Sequence, residues 1–324
     1  MESSRRIAAL CGATISISAC VDLSSPTQHA LFLTCEPLTR NARGDIDPIP
    51  SPDGQYVAYR RMTAASPELG ELHYLRLDDP LKSNVLLKAG GFHGGASWSP
   101  DSEWLSYTVM ESREPVSAFV GNSVYKVNVR TNEKIRLVDT RTIPQIGEYT
   151  SWTERNEIYF ATPDAFYVID PQGGTPRKKL VIDTNLQDAP IHLAAEPRGK
   201  SIAFSVDTHD SDDTVLRRRS GIWLANLIAG QILQLTHDSP DSFPVWQGAG
   251  KILFLRASNR KGEYSLHSLE LSTGRITSIG TQEIVYSIST IPDQAGLFAA
   301  TADRWDMSGN GFNFFRGFSI ARCR

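Results

Sequence analysis

The sequence predicts an all-β protein folded as a six-bladed β-propeller with four strands in each blade. Three observations predict this fold class. The motif SPDGQYVAY (Ser51–Tyr59) returns as SPDSEWLSY (Ser99–Tyr107), weaker copies follow at similar intervals, and the chain beyond its N-terminal segment shows no helical periodicity. Repeats of roughly 40–50 residues that each contain four short strands are typical of propeller blades.

The six copies of the repeat align on the first residue of a tight turn. These residues are Ser51, Ser99, Thr153, Glu196, Gln247 and Ile291, at intervals of 48, 54, 43, 51 and 44 residues. The short strand before the turn ends in tryptophan in three copies, at Trp98, Trp152 and Trp246. Three extended segments follow each turn, and the Gly, Asp and Asn residues that flank them indicate strands joined by hairpins.

The pattern P-x-W-S-P-D-G…I-A-F underlies these copies, for example in SPDG from Ser51 and SIAF from Ser201. It resembles the WD-type repeat of the TolB propeller family, and the resemblance covers nearly all of the chain after about residue 34. TolB carries an additional N-terminal α/β domain, for which this sequence has no room. The resemblance therefore implies the propeller alone.

The N-terminal part of the propeller is expected to complete the last blade. Outermost strands in three other units end about 11 residues before the next turn, and the same count back from Ser51 places a strand over CEPLTR (Cys35–Arg40). The inner strands of that blade are GLFAATAD and RGFSIARC at the far end of the chain. The segment EPLTR…DIDP also echoes LQLTHDSPDSFP before the fifth unit, which supports the alignment. Such a closure removes an open sheet edge from the ring.

The same assignment brings Cys35 to the start of a strand whose antiparallel neighbour ends at Cys323. Antiparallel neighbours hold such ends at about the Cα separation that a disulfide needs. A disulfide between Cys35 and Cys323 is therefore predicted. The alternative is two independent buried thiols.

The first 20 residues carry a targeting signal. Arg5 and Arg6 precede IAALCGATISISA, an apolar run of 13 residues that is too short to span a bilayer and is typical of a secretory signal peptide. ISAC (Ile17–Cys20) resembles the lipobox of bacterial lipoproteins, although Ile17 replaces the commoner leucine. The resemblance implies a signal over 1–19, lipidation of Cys20, a tether over 20–33 and a propeller over 34–324. Because Val21 follows the cysteine, the sorting rule favours the outer membrane; the alternative is a soluble N-terminus with a chance cysteine.

Composition and motifs exclude several function classes. A formal net charge of −3 and an isoelectric point near 6.2 give no electrostatic footprint for nucleic acid. The sequence contains no G-x-S-x-G, H-E-x-x-H or C-x-x-C motif, no Walker loop and no Rossmann fingerprint. No cofactor is expected. His73 and His267, on third strands, are expected at the surface or between blades.

Candidate binding residues lie in the segments that line the central channel. His93 and His192 fall in the innermost segments of the second and fourth units, and Asp47, Glu148 and Tyr149 fall in the matching segments of the first and third. Together they predict a polar ring at the channel mouth that could bind a partner, a metal or an anionic ligand. The alternative is a ring that is polar only because the channel is wet.

Two long loops offer further candidates. DTHDSDD (Asp207–Asp213) suggests calcium, but it lacks the glycine and the twelfth-position glutamate of an EF-hand loop. The segment Arg304–Gly317 holds Trp305, Phe312, Phe314 and Phe315, which could anchor an interface or simply pack the sixth blade.

The hypothesis that follows is a non-enzymatic, monomeric, lipid-anchored propeller that faces the periplasm and binds an envelope protein or peptide. By resemblance, TolB-type propellers use one face and the channel mouth for protein partners. One alternative is a metal-dependent hydrolase, lactonase or lyase built on His93, His192, Asp47 and Glu148. Another is a propeller that binds sugars or small ligands through its aromatic loops.

Overall fold

The computed structural model describes residues 31–64, 70–88, 95–113, 118–182, 190–206, 221–237, 240–257, 264–281, 284–291, 297–302 and 318–324. In these ranges the chain forms 25 strands and no helix. None of the described segments is therefore a helix long and apolar enough to cross a membrane. The strands build six sheets arranged as a β-propeller, which confirms the predicted fold class.

Each blade has an inner strand, two middle strands and an outer strand. Blades 1 to 3 comprise β3 (Asp45–Pro50), β4 (Tyr56–Arg61), β5 (Glu71–Arg76) and β6 (Asp79–Leu87); β7 (Ser97–Trp98), β8 (Trp104–Arg113), β9 (Ala118–Asn128) and β10 (Lys134–Val138); and β11 (Thr150–Trp152), β12 (Ile158–Thr162), β13 (Ala165–Ile169) and β14 (Arg177–Val181). Blades 4 and 5 comprise β15 (Ile191–Ala195), β16 (Ser201–Val206), β17 (Gly221–Asn226) and β18 (Gln231–Gln234); and β19 (Asp241–Trp246), β20 (Lys251–Ala257), β21 (Tyr264–Glu270) and β22 (Arg275–Thr281). Blade 6 comprises β23 (Ile284–Thr290), β24 (Leu297–Ala302), β25 (Ser319–Cys323) and, from the N-terminal side of the chain, β2 (Cys35–Pro37).

The N-terminal strand closes the ring as predicted. β2 pairs antiparallel with β25, and Cys35 is the register partner of Cys323. The two cysteines form a disulfide with their Cα atoms 4.0 Å apart, which confirms the predicted pairing. Thr34 and Arg324 continue the ladder, since the backbone N–H of each donates to the carbonyl of the other at 3.0 Å. Strand β2 from the N-terminal side of the chain and the C-terminal strand β25 are thus held in one blade.

A further strand, β1 (Leu31–Leu33), lies before this closure. It pairs in parallel with β22, so that the fifth sheet has five strands. The described sheet structure therefore begins three residues before the predicted boundary at residue 34, within the segment expected to be tether. The repeat count contains only four strands per blade and could not predict this addition. β1 pairs backbone groups that the outer edge of blade 5 would otherwise leave open.

Hydrogen bonds join the inner strands of neighbouring blades at all six junctions of the ring. In blade order the donors and acceptors are Trp98 Nε1 to Ile49 O (2.8 Å), Trp152 N to Ser97 Oγ (2.9 Å), Ala195 N to Ser151 Oγ (2.9 Å), Trp246 Nε1 to Ala194 O (2.9 Å), Thr290 Oγ1 to Trp246 O (2.6 Å) and Asp47 N to Ser287 Oγ (2.9 Å). All three tryptophans noted in the sequence thus supply an inter-blade donor, Trp98 and Trp246 through the indole N–H and Trp152 through its backbone N–H. These bonds fix the position of each inner strand relative to the inner strand of the next blade.

The repeated SPD motif is a turn whose side chains satisfy its own backbone. Asp53 accepts hydrogen bonds from Ser51 Oγ and from the backbone N–H of Gln55 at 3.0 Å, and Asp101 does the same for Ser99 and Glu103. Short polar side chains that bond the backbone two residues on are typical of tight turns. The role of the motif is therefore to shape the turn that positions the strands.

The core lies between blades. Val57 and Tyr59 of blade 1, for example, pack against Phe298 and Ile320 of blade 6, and all four are almost fully buried. Similar clusters fill the other gaps between adjacent sheets. This packing holds the six inner strands in place around the channel.

Candidate functional site

The inner strands of all six blades line one cavity of about 390 Å³ in the central channel. Its walls carry many prolines and tryptophans, among them Pro48, Pro244, Trp98, Trp152 and Trp246. Hydroxyl groups of serine and threonine residues are interspersed between them. This combination of apolar walls and a few polar groups is typical of ligand pockets, which commonly measure about 300–1,000 Å³.

A belt of side chains, defined here as Asp47, Tyr149, His192, Phe243 and Tyr286, lies at one end of the cavity, and all but Tyr286 line it. The aromatic members contact one another in blade order: ring centroids are 4.9 Å apart for Tyr149 and His192, 3.7 Å for His192 and Phe243, and 5.9 Å for Phe243 and Tyr286. Blades 1, 3, 4, 5 and 6 each supply one member. The opposite end is bordered by turn residues, of which Pro100 and Glu154 are exposed.

A local irregularity of the inner strands brings three belt residues to the same level. Asp47, His192 and Phe243 all have positive φ (54°, 47° and 52°), and each lies where the register between inner and second strand shifts. Positive φ is uncommon for residues other than glycine, and such bulges re-aim side chains. Blades 1, 4 and 5 therefore each present one side chain toward the channel at this position.

Blade 2 contributes no side chain to the belt, because a glycine, Gly95, stands beside Tyr149. Gly95 has φ +67°, and a Cβ atom built on it would lie 2.4 Å from Cδ1 of Tyr149. The absence of a side chain at Gly95 lets the Tyr149 ring fill the gap between blades 2 and 3. Thr150 follows Tyr149 in the chain, and its backbone N–H donates to the Gly95 carbonyl oxygen at 3.0 Å.

A buried guanidinium balances the charge of the belt. Arg60 Nη2 lies 2.8 Å from Asp47 Oδ2, with the two side chains 12% and 7% exposed. Burial lowers the pKa of Arg60, but Asp47 first, and then Tyr149, Tyr286 and Glu148, raise it to a net value above normal. Arg60 therefore stays charged.

The phenol of Tyr149 stays neutral in this surrounding. Its pKa is raised well above the usual value, first by burial and then by the Asp47 carboxylate. The other carboxylate oxygen of Asp47, Oδ1, is buried and accepts no hydrogen bond from the described residues. The belt thus presents a neutral hydroxyl donor and an acceptor oxygen without a partner.

The structure brings together three of the five predicted channel residues. Asp47, Tyr149 and His192 line the cavity. Glu148 lies outside its lining, where its charge acts on Arg60 and its carbonyl accepts a hydrogen bond from Thr108 Oγ1 at 2.7 Å. His93 lies outside the described residues, as do Cys20, the acidic segment Asp207–Asp213 and the aromatic segment Arg304–Gly317.

The His192 ring is held by neighbours that are not metal ligands. Its Nδ1 lies 3.0 Å from Ser205 Oγ, and its faces contact Tyr149 and Phe243. Within the described part of the chain, no group of three or more His, Cys, Asp and Glu side chains could hold a metal ion. Ser205, Tyr149 and Phe243 together orient the His192 ring.

Three residues of the site were not predicted, namely Arg60, Phe243 and Tyr286. The sequence held a signal for Phe243, because DSFP (Asp241–Pro244) matches DIDP (Asp45–Pro48) and places Phe243 where Asp47 stands. Arg60 had no such signal, because it belongs to a second strand.

No protein-family model matches the chain, and no curated protein matches it. Solved structures share its fold. TolB from Acinetobacter baumannii is 14% identical with a TM-score of 0.58, over 74% of this chain and 55% of that chain, so this chain spans about half of that TolB. An oligogalacturonate lyase in complex with manganese is 12% identical with a TM-score of 0.54, over 85% of this chain and 73% of that chain. A chain of the nidogen/laminin complex is 12% identical with a TM-score of 0.55, over 76% of this chain and 86% of that chain.

The fold class shown by these findings is the six-bladed β-propeller, and TolB is among the solved structures that share it. At such identities the likeness shows the fold alone. Since the structures that share the fold include a lyase in complex with manganese and a chain of a nidogen/laminin complex, the function of this chain has to be argued from its own site.

Proposed function

We propose that the chain is a TolB-like propeller that binds an envelope protein by receiving a protruding peptide segment of it in the central cavity. The observation that carries the proposal is the cavity itself, which all six blades line and which opens beside Pro100 and Glu154. An extended segment that enters at this end would meet the belt at the other end of the cavity. The role proposed for the cavity is binding without catalysis.

The chemistry of the lining suits a peptide. Tryptophan and proline faces pack against apolar side chains, and Ser289 adds a hydroxyl group to the lining that suits a backbone amide. At the belt, Asp47 Oδ1 offers a buried acceptor for an N–H donor of the segment. An acceptor that lacks a partner costs about 1–3 kcal/mol when buried, which a bound donor would recover.

The envelope location rests on two supports. The N-terminal segment resembles a lipoprotein signal, and the disulfide between Cys35 and Cys323 is typical of an oxidising compartment. We propose that Cys20 carries the lipid and that the outer membrane holds the protein at its periplasmic side. The residues between Cys20 and β1 would then reach on the order of 20 Å if flexible, which keeps the propeller close to the membrane.

Site-directed photo-crosslinking in intact cells tests the binding proposal. A photoreactive phenylalanine analogue replaces Trp152 in the cavity or, as a control, Leu81 on the outer strand of blade 1, which is 93% exposed. We expect a discrete adduct from position 152 that position 81 does not give. Ser289→Trp, which fills the cavity, should remove that adduct. Equal adducts at both positions, or an adduct that survives Ser289→Trp, would overturn the proposal.

Lipid anchoring is tested separately. Metabolic labelling with an alkyne fatty acid should mark the wild-type protein and not Cys20→Ser, which should move to the soluble periplasmic fraction. Cys35→Ser is the matched control and should keep the label. A label that persists on Cys20→Ser would contradict the lipobox interpretation without affecting the cavity proposal.

A further inference from the structure

A serine, a histidine and a glutamate form a hydrogen-bonded array in blade 1, on a different part of the molecule from the cavity. Ser83 Oγ lies 2.9 Å from His73 Nδ1, and His73 Nε2 lies 3.0 Å from Glu71 Oε2. The serine is on the outer strand β6, and the other two residues alternate along β5. A nucleophile, a base and an orienting acid at such distances are recognised by geometry, whatever their order in the chain.

The array has one consistent arrangement of protons. The Glu71 carboxylate accepts from Nε2–H of His73, which leaves Nδ1 to accept the hydroxyl proton of Ser83. Burial lowers the pKa of His73, against the opposing effect of its hydrogen bond to Glu71, so the ring is neutral and basic at neutral pH. Tyr59, whose phenol donates to Ser83 Oγ at 2.7 Å, completes the network.

Ser83 lies nearer the surface than its base. His73 is 5% exposed, whereas Ser83 is half-buried. Apolar side chains flank it on the same strand: Val85 is 41% exposed and Leu81 is 93% exposed. An apolar group bound beside Ser83 would rest on these two residues.

Blade 5 contains the same framework without the array. Asp241 pairs with Arg256 by two hydrogen bonds of 2.7 and 2.8 Å, as Asp45 pairs with Arg61 by two of 2.8 Å. His267 faces Phe254 across the two middle strands in the same way that His73 faces Tyr59.

The residues that differ between the two blades are members of the array. Phe254 stands in place of Tyr59, and Ser265 stands in place of Glu71. Nδ1 of His267 is buried and has no hydrogen-bond partner among the described residues, whereas Nδ1 of His73 bonds Ser83. The framework of blade 5 therefore holds its histidine beside Ser265 but without an acid. Compared with blade 5, blade 1 adds the acid, the serine bonded to Nδ1 of the histidine, and the phenol.

We propose that Ser83 is a nucleophile toward carboxylic esters with a short apolar acyl chain. Ser83 Oγ bonds to the carbonyl carbon while its proton moves to His73 Nδ1. His73 then gives that proton to the departing alkoxide, which leaves as an alcohol. Water, deprotonated in turn by His73, hydrolyses the acyl-serine and releases the acid. Glu71 is a positioning residue that holds the tautomer and stabilises the imidazolium, and Tyr59 O–H is within reach of the oxyanion.

A fluorophosphonate probe on the folded, purified protein tests this site, with peptide mass spectrometry to locate the label. We expect modification at Ser83 and hydrolysis of p-nitrophenyl butyrate faster than of the acetate. Ser83→Ala should abolish both, and His73→Gln should slow labelling at least tenfold. Glu71→Gln should slow labelling at an unchanged Tm, and Glu71→Asp should restore part of the rate.

The matched control is Ser265→Ala, which removes the serine that bonds His267 at 2.9 Å in blade 5 and should change neither labelling nor hydrolysis. The inference is overturned if Ser83 is not labelled in the folded wild type. It is equally overturned if Ser265 is labelled as fast as Ser83, or if Glu71→Gln and His73→Gln leave the labelling rate unchanged. None of these outcomes depends on the cavity, so this test is independent of the proposed function.

Discussion

Gly95 and Tyr149 are packed so closely that the aromatic ring occupies the place of a side chain on the glycine. A Cβ atom on Gly95 would lie 2.4 Å from Cδ1 of Tyr149 and 2.7 Å from its Cα. The Tyr149 ring in turn contacts His192, the next member of the belt. The shape of the belt thus depends on one residue that contributes no side chain to it.

Gly95→Ala is expected to destabilise the protein more than a glycine substitution that creates strain alone. Gly230 provides the matched control, because it also has φ +67° but has nothing within 4 Å of a Cβ atom. An alanine in this left-handed region costs about 1–2 kcal/mol, and overpacking adds about 1–3 kcal/mol at Gly95 only. Urea denaturation of both variants measures the difference. Equal losses in the free energy of unfolding would show that the Tyr149 ring moves aside without any cost in stability.

The disulfide is expected to stabilise the closed ring substantially. Cys35 and Cys323 are 288 residues apart, so their bond closes a loop of almost the whole described chain. The chain-entropy model gives roughly 5–6 kcal/mol for such a loop, and measured values are more often about 2–4 kcal/mol. Cys35→Ala/Cys323→Ala should lower the Tm, and addition of reductant should lower the wild-type Tm toward it. A Tm that the double substitution leaves unchanged would contradict this role.

Much of the fold could be predicted because the repeat can be counted. The echo between EPLTR…DIDP and LQLTHDSPDSFP reflects equivalent structure: Thr39 Oγ1 accepts from Ile320 N at 2.9 Å, and Thr236 Oγ1 accepts from Ile222 N at 2.8 Å. The same alignment led to the pairing of Cys35 with Cys323. Features that repeat, or that follow from the closure of the ring, can therefore be predicted from the sequence.

The site was less predictable because it depends on departures from the repeat. Arg60 pairs with the belt residue Asp47 from the second strand of blade 1. Neither its burial nor this pairing follows from a motif. The array of blade 1 joins Ser83 to His73 across a strand pair whose register shifts twice. Hydrophobic alternation cannot predict such irregular registers.

The ion pair of Asp45 and Arg61 is expected to be costly to break. Asp45 is fully buried and bonds Arg61 through both carboxylate oxygens. Asp45→Ala leaves a guanidinium that is 23% exposed without its carboxylate, and the removal of one partner of a buried pair costs about 3–5 kcal/mol. Chemical denaturation should show this loss.

A surface pair supplies the control for that experiment. Arg76 and Asp78 also form a close ion pair, but their side chains are 53% and 65% exposed. Asp78→Ala should change the free energy of unfolding far less than Asp45→Ala, because exposed pairs contribute little. Asp45→Leu/Arg61→Met should be more stable than Asp45→Ala, since it leaves no unpaired buried charge. If the double variant were the less stable, the charge would not be the cause.

Acid is expected to destabilise the fold through His267. Burial first, and then the neighbouring Arg256, lower the pKa of His267 to about 4, with Asp241 opposing them. In the unfolded chain a histidine titrates near its ordinary value of about 6.5, so between these values the unfolded state binds the proton more strongly. Stability is therefore unaffected above about pH 6.5 and falls as the pH drops toward 4. The loss is at most about 3 kcal/mol, and less because the side chain is only partly buried.

His267→Leu should flatten this dependence, because the leucine has no proton to gain. The measurement is the free energy of unfolding at pH 7.5 and at pH 5, compared between wild type and variant. His237→Leu, which alters an exposed histidine at the end of blade 4, is the control and should keep the wild-type difference. A pH dependence unchanged by His267→Leu would assign the acid sensitivity to other groups, of which His73 is the first to test, since burial lowers its pKa in the same direction.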